Sequence, residues 1–170
     1  MRVFAIDPGP TQSAWIILDN GKILDFAIEQ NEALIELLSR TFGIPRTFGT
    51  DLFAIEQIRS YGMAVGAEIF ETCEWCGRFD QQIRISHGKK AVFVPRQDVK
   101  LHLCHSPRAN DKNIRQALID RLGPPGTKKI PGPTYGIKTH VWAALGVAIT
   151  ASDKFLEEDN KCTSIASACS

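Results

Sequence analysis

No stretch of this 170-residue chain is apolar for long enough to cross a bilayer, which takes roughly 20 consecutive apolar residues. The N-terminus carries Arg2 but no hydrophobic segment ending in a small-residue cleavage site, so it does not read as a signal peptide. The expectation is a cytoplasmic protein with no membrane contact. An excess of one charge is also missing: 20 basic and 19 acidic residues leave a formal net charge of +1. Total charge therefore makes no case for nucleic acid, and any such case must rest on where the charges lie. Cysteine is sparse and odd in number: Cys73, Cys76, Cys104, Cys162 and Cys169. An odd count without a secretion signal argues against a disulfide framework. "TCEWC" has the C-x-x-C spacing and "HLCH" (His102 to His105) offers further donors, but a zinc site needs two paired sets on one face. Inside a helix, Cys73 and Cys76 read as small core-facing residues. No internal repeat is present.

What is there alternates between strands and helices. "RVFAID" and "SAWIILDNGKILDFAIE" read as strands, the second folded on itself by a tight "DNG" turn between Leu18 and Lys22. "NEALIELLSRTF" sets Leu34, Leu37 and Leu38 at helical spacing, with Asn31 at the N-cap position. "DLFAIEQ" is a buried strand, and a long helix follows in "YGMAVGAEIFETCEWCGRFDQQIRI", with Ile69, Phe70, Cys73, Cys76 and Gly77 along one face. A strand stops at Pro95, and Asp98 stands where it would cap a short helix. "ANDKNIRQALIDRLG" is a capped amphipathic helix from Asn110 or Asp111 to Leu122, closed by Gly123 and two prolines. A Pro/Gly/Lys-rich loop leads to a last helix in "THVWAALGVAITASDKFLEE". The expectation is one α/β domain over residues 1–159, with a mixed central sheet flanked by helices and a flexible tail over 160–170.

Two apolar strands end in an acid, "VFAID" at Asp7 and "LFAIE" at Glu56. If the strands are neighbours the carboxylates converge, and like charges that close resist joint ionisation. A divalent cation relieves that, and Mg²⁺ or Mn²⁺ prefers such oxygen ligands. The plainer alternative has Asp7 capping the Pro-Gly turn and Glu56 facing solvent.

Four blocks in order carry a resemblance. "FAIDPGPTQSAWIIL", "FAIEQ", "PRQDVKLHLCHSPRANDKNIRQAL" and "HVWAALGVAIT" resemble segments of the RuvC-type Holliday junction resolvases, of the ribonuclease H-like (retroviral integrase) superfamily. Together they span about residues 1–151. The resemblance implies a ribonuclease H-like fold and a homodimer that makes symmetric nicks in four-way DNA junctions with two Mg²⁺ or Mn²⁺ ions per protomer. It implies a bacterial or bacteriophage source. Asp7 and Glu56 match the first two metal-binding acids, and His140 falls where members carry a histidine or an aspartate. The family's last aspartate lies at i+3 on the same helical face, where this chain has Ala143.

An alanine there leaves three readings open: a nuclease that manages with Asp7, Glu56, His140 and water, a chain disabled by substitution, or a binder that does not cut. A ribonuclease H-like nuclease acting on RNA or other branched substrates is a further alternative. A sugar-kinase-like ATPase lacks its second phosphate-binding glycine loop here. For DNA, the resemblance and position single out Arg59 and Tyr61 after Glu56, then Lys100 and Lys112 of the Val-Lys and Asp-Lys elements. Arg96, Arg108, Arg115, Lys128, Lys129 and Lys138 add charge on loops and helix starts. Acids such as Glu29, Glu32, Glu36, Asp120, Glu157 and Glu158 balance them elsewhere, so the expected molecule is polarised. Gly62, Ala64, Gly66 and Ala67 offer a small-residue dimer surface.

Overall fold

A computed structural model describes residues 1–39, 49–59, 62 and 66–168, with side chains described up to residue 158. Tyr61 and Ala64, and residues 40–42 of the expected first helix, lie outside the described residues. Five strands form one sheet in the order β3-β2-β1-β4-β5. β1 (Arg2–Asp7), β2 (Gln12–Asp19) and β3 (Lys22–Gln30) make an antiparallel meander, while β4 (Leu52–Gln57) and β5 (Val92–Pro95) run parallel to β1. The hairpin turn falls on Asn20 and Gly21, both with positive φ (48° and 79°), the backbone that a two-residue turn of this hand requires. The mixed α/β architecture is as the sequence predicts.

β1 is buried on both faces, so each of its faces has its own core. Val3 and Ala5 join Ala14, Ile16, Leu52 and Ala54 beneath α5 (Val141–Ala168), while Phe4 and Ile6 join Trp15, Ile17, Phe53 and Ile55 beneath α1 (Asn31–Ser39) and α2 (Ala67–His87). α3 (Arg96–Cys104) and α4 (Asp111–Leu122) share the α5 side. Close approach on that side depends on Gly146, where an added Cβ would stand 3.0 Å from a Val99 methyl.

Several local expectations need correction. α2 starts at Ala67 and buries Thr72, Cys76, Phe79 and Ile83. Phe70 (61% exposed), Ile69 and Cys73 face outward, so the core face is rotated from the expected one. The polar Thr72 and Arg78 interleave with the apolar positions, and an apolar stripe alone did not reveal which side is buried. Asn31 does not cap α1. Its side chain is fully buried, donates to the Gly9 carbonyl (3.0 Å) and accepts from the Ser13 hydroxyl (2.6 Å), pinning the Pro-Gly-Pro loop. Asp98 does not cap α3, because the helix follows Pro95 directly and Asp98 instead pairs with Lys154 at 2.7 Å. α5 is helical backbone to Ala168, and residues 153–168 contain no glycine or proline to stop it.

Candidate active site

The strand pleat brings the two acids together. Side chains alternate across a strand, so Asp7 shares the α5 face with Val3 and Ala5, as Glu56 does with Leu52 and Ala54. β1 and β4 pair in parallel from Val3 against Leu52 to Ile6 against Ile55, and the next rung sets Asp7 beside Glu56. Both lie at the carboxyl ends of parallel strands, where an open α/β sheet leaves its crevice. Gly9 closes the turn after Asp7 tightly, since any Cβ there would stand 2.4 Å from the Gln12 carbonyl oxygen. Backbone and Asn31 hold the turn, and the Asp7 carboxylate is left to face Glu56.

Glu56 is 6% exposed and Asp7 partly buried. Burial pushes Glu56 up to about 8, helped by its hydrogen bond to Asp7 and by the Asp7 charge, while Arg96 opposes the shift. Burial likewise raises Asp7, where Glu56 and Arg96 pull the other way and Asp111 adds to the rise. Burial therefore favours the neutral form of both carboxyls.

Three more elements close round it. The turn before α5 passes through Thr139 at φ 35°, an uncommon conformation for a β-branched residue. This sets His140 over the pair, its Nδ1 3.2 Å from Asp7 Oδ2, with 73% of the side chain exposed. β5 pairs Val94 with Glu56 and Pro95 with Gln57, so the next residue, Arg96, emerges at the same edge. Its Nη1 lies 3.4 Å from Glu56 Oε1, and its Nη2 donates to Asp111 Oδ1 at 2.5 Å. Asp111 opens α4, where Asn110 accepts from the Lys112 and Asn113 amides in a capping box.

The resulting cleft, about 650 Å³, is lined by both acids, His140, Ala143, Arg96, Asp111, Lys112, Arg115 and the apolar side chains of Ile58, Ile114 and Trp142. The Arg115 guanidinium stacks 5.1 Å from the centre of the Trp142 ring. A larger cleft between α1 and α2, lined by Glu32, Ile35, Glu36, Trp75 and Arg78 among others, includes neither strand-end acid.

Of the basic residues singled out in the sequence, Arg96, Lys112 and Arg115 line the cleft; Arg59, Lys100, Arg108, Lys128 and Lys129 do not. Arg59 is exposed two residues beyond β4 and donates to Gln57 Oε1 at 2.9 Å. Lys100 lies along α3, Arg108 precedes the Asn110 cap, and Lys128 and Lys129 are exposed on the loop after α4. Asp111 was missed. Its Asn-Asp context reads only as a helix start, and nothing local announces that Arg96 will reach it. Cys76 is buried, its thiol pushed up to about 12 chiefly by burial, whereas Cys73 is exposed, contrary to the core-facing expectation. His102 of "HLCH" contacts Asp153 at 2.6 Å, and Asp153 also accepts two bonds from Arg121.

No family model matches the chain, and no curated protein matches its sequence. Solved structures do. The chain superimposes on Thermus thermophilus RuvC with a TM-score of 0.63 at 18% identity, covering 88% of this chain and 92% of that one. It also superimposes on T. thermophilus RuvC in complex with Holliday junction substrate, with a TM-score of 0.63 at 17% identity and the same coverage. The chain has a RuvC-like fold.

A RuvC-like fold raises the question of divalent metal, and the residues present answer it in part. Among the described residues, no three His, Cys, Asp or Glu side chains are arranged to hold an ion as they stand. The buried Asp7–Glu56 pair has the hard oxygen donors that suit one Mg²⁺ or Mn²⁺, and His140 stands beside it. For a second ion the remaining carboxylate of the cleft is Asp111, already paired with Arg96, and the Ala143 methyl, Ile58, Ile114 and Trp142 offer no donor. Among the described residues no helix is long and apolar enough to cross a membrane.

Proposed function

We propose that this protein is a structure-selective endonuclease that acts as a homodimer on four-way DNA junctions. The observation that carries the reading is the convergence of Asp7 and Glu56 at adjacent parallel strand ends, with His140 on Asp7 and with Lys112 and Arg115 on the rim. Such a site takes a phosphodiester: the rim cations hold backbone phosphates, and the acids sit at the bottom of the cleft. Asp7 and Glu56 would hold a divalent ion, which supplies Lewis-acid charge to the phosphate oxygens when bound. With Nδ1–H donating to Asp7, His140 keeps Nε2 free to take a proton from the attacking water. The water oxygen bonds to phosphorus and the bond from phosphorus to the 3′ oxygen breaks. That oxygen takes a proton from solvent, leaving a 5′ phosphate and a 3′ hydroxyl. The exposed Phe70, Ile69 and Cys73 of α2, with Gly66 and Ala67 at its start, give a face on which a second copy can pack so that two nicks are made symmetrically.

Ala143 supports one second reading, a junction binder with little or no cleavage. A single experiment separates the two. Cleavage of a synthetic four-way junction in Mg²⁺ or Mn²⁺ is compared for this chain and its Ala143→Asp variant, with junction binding measured in the same tubes. The nuclease reading expects this chain to nick and the variant to nick faster, on the order of tenfold or more. Cutting by the variant alone, with equal binding, makes this chain the binder. If neither binds a junction and an RNA–DNA hybrid is cut instead, the junction reading is overturned in favour of an RNA substrate.

A further inference from the structure

Neither acid–base chemistry nor simple rim charge accounts for Arg96 of the cleft. Its guanidinium reaches inward to the buried Glu56 at 3.4 Å and outward to Asp111 at 2.5 Å. The inner partner is 6% exposed, whereas the Asp111 side chain is 83% exposed. An exposed ion pair is weak, so the outer contact is one that a phosphate oxygen can replace, while the inner contact stays fixed. Five donors in a rigid plane allow both contacts at once. Position in the chain makes this a built feature: β5 is registered against Glu56, and Arg96 is the first residue after it.

Charge points the same way. Three carboxylates line the cleft: Asp7, Glu56 and Asp111. Arg96 and one divalent ion at Asp7 and Glu56 offset the three when all are ionised, which leaves Lys112 and Arg115 to meet substrate phosphates. A second divalent ion would have to draw on Asp111, which Arg96 already holds, because Ala143 supplies no ligand.

We propose that Arg96 takes the place of a second divalent ion, so that each protomer binds one ion at Asp7 and Glu56 and uses the Arg96 guanidinium as the fixed positive charge on the scissile phosphate. The role on phosphate rests on the nuclease reading. The ion count does not.

The test is a titration of the full chain with Mn²⁺ alone, followed by the electron paramagnetic resonance signal of free Mn²⁺, with junction affinity measured in Ca²⁺. One Mn²⁺ per protomer is expected. Arg96→Met removes a competing cation and should tighten that Mn²⁺ on the order of tenfold, while weakening junction binding and any nicking by at least as much. Arg96→Lys keeps the charge and should leave Mn²⁺ affinity within about twofold. It should restore only part of the junction affinity, because an ammonium lacks the fork. A residue that merely held α3 in place would move neither Mn²⁺ affinity nor junction affinity in this opposed way. Two Mn²⁺ per protomer in the unsubstituted chain, or unchanged Mn²⁺ affinity in Arg96→Met, overturns the proposal even if junctions are cut. One Mn²⁺, tightened by Arg96→Met, in a chain that ignores junctions keeps the ion count and overturns the nuclease reading.

Discussion

At the scale of single residues, the buried acid pair has a consequence for stability that does not depend on any substrate. An ordinary Glu titrates near 4.5, whereas Glu56 in the folded chain titrates at about 8 because of burial and the neighbouring Asp7. Between those values the folded state keeps a proton that the unfolded chain has lost. Folding stability therefore falls as pH rises from about 4.5 towards 8, and is greatest below the unfolded value. Glu56→Gln removes the titration while keeping the shape. It should melt higher than the unsubstituted chain, with the gap near zero at pH 4.5 and widening to several kcal/mol, at most about 4, at pH 8. Calorimetry in a metal-free buffer with chelator reads this directly. A gap that stays constant with pH would mean Glu56 is ionised when folded. Asp7→Asn is the companion on the chemical side: it should abolish nicking and leave junction affinity in Ca²⁺ within a few-fold, because the rim cations hold the phosphates.

At the scale of elements, what was legible in the sequence and what was not divide along a physical line. Runs such as "VFAID" and "LFAIE" state by composition that a strand is buried and ends in a charge. The Asn110–Leu122 helix states its own cap, and both survive folding unchanged. That β1 lies beside β4 with Asp7 against Glu56 is a matter of register across about 50 residues, and no local pattern encodes it. The same holds for Arg96 and Asp111, 15 residues apart and joined by the packing of α3 against α4. α2 shows the opposite failure. Its apolar residues spread over most of the circumference, and the face chosen from them includes Ile69 and Phe70, which the fold leaves outside.

That exposed stripe makes an element-scale prediction. If α2 is the dimer surface, Phe70→Asp should convert a dimer to a monomer by light scattering while the monomer keeps its circular dichroism spectrum, since Phe70 stands outside the protomer's own core. An unchanged mass would remove α2 from the interface. α5 makes another. Gly146→Val forces branched methyls into Val99, Leu103 and Ile114, which already stand 3.0, 3.6 and 3.7 Å from where a Cβ would be. It should cost about 1–3 kcal/mol, read as a lower urea midpoint with unchanged slope. A variant as stable as its parent would show that α3 and α4 can yield.

For the molecule as a whole, the question is how a chain with a net charge of +1 holds a polyanion. Three acids and the cations Arg96, Lys112 and Arg115 are gathered in one cleft at the carboxyl edge of the sheet, on the α5 side, while Glu32, Glu36 and Glu74 line the cleft between α1 and α2 on the other. Attraction is then local, and it should be short in range because it is screened beyond about 8–10 Å in physiological salt. Salt dependence measures how many phosphates are held, since each cation that neutralises one releases bound counterions and steepens the fall of affinity with salt. Junction binding in Ca²⁺ should fall linearly on a log–log plot. Lys112→Ala and Arg115→Ala should each reduce the slope by about one, with Arg115→Ala losing further affinity because the Trp142 face it covers is bared. Lys128→Ala, on the loop that does not line the cleft, should leave both slope and affinity unchanged. If Lys128→Ala reduces the slope as much as Lys112→Ala does, the duplex runs over the loop after α4 as well as the cleft, and the footprint is wider than the cleft alone. If neither cleft variant changes it, the DNA does not enter between α4 and α5, and the strand-end acids are not where it is cut.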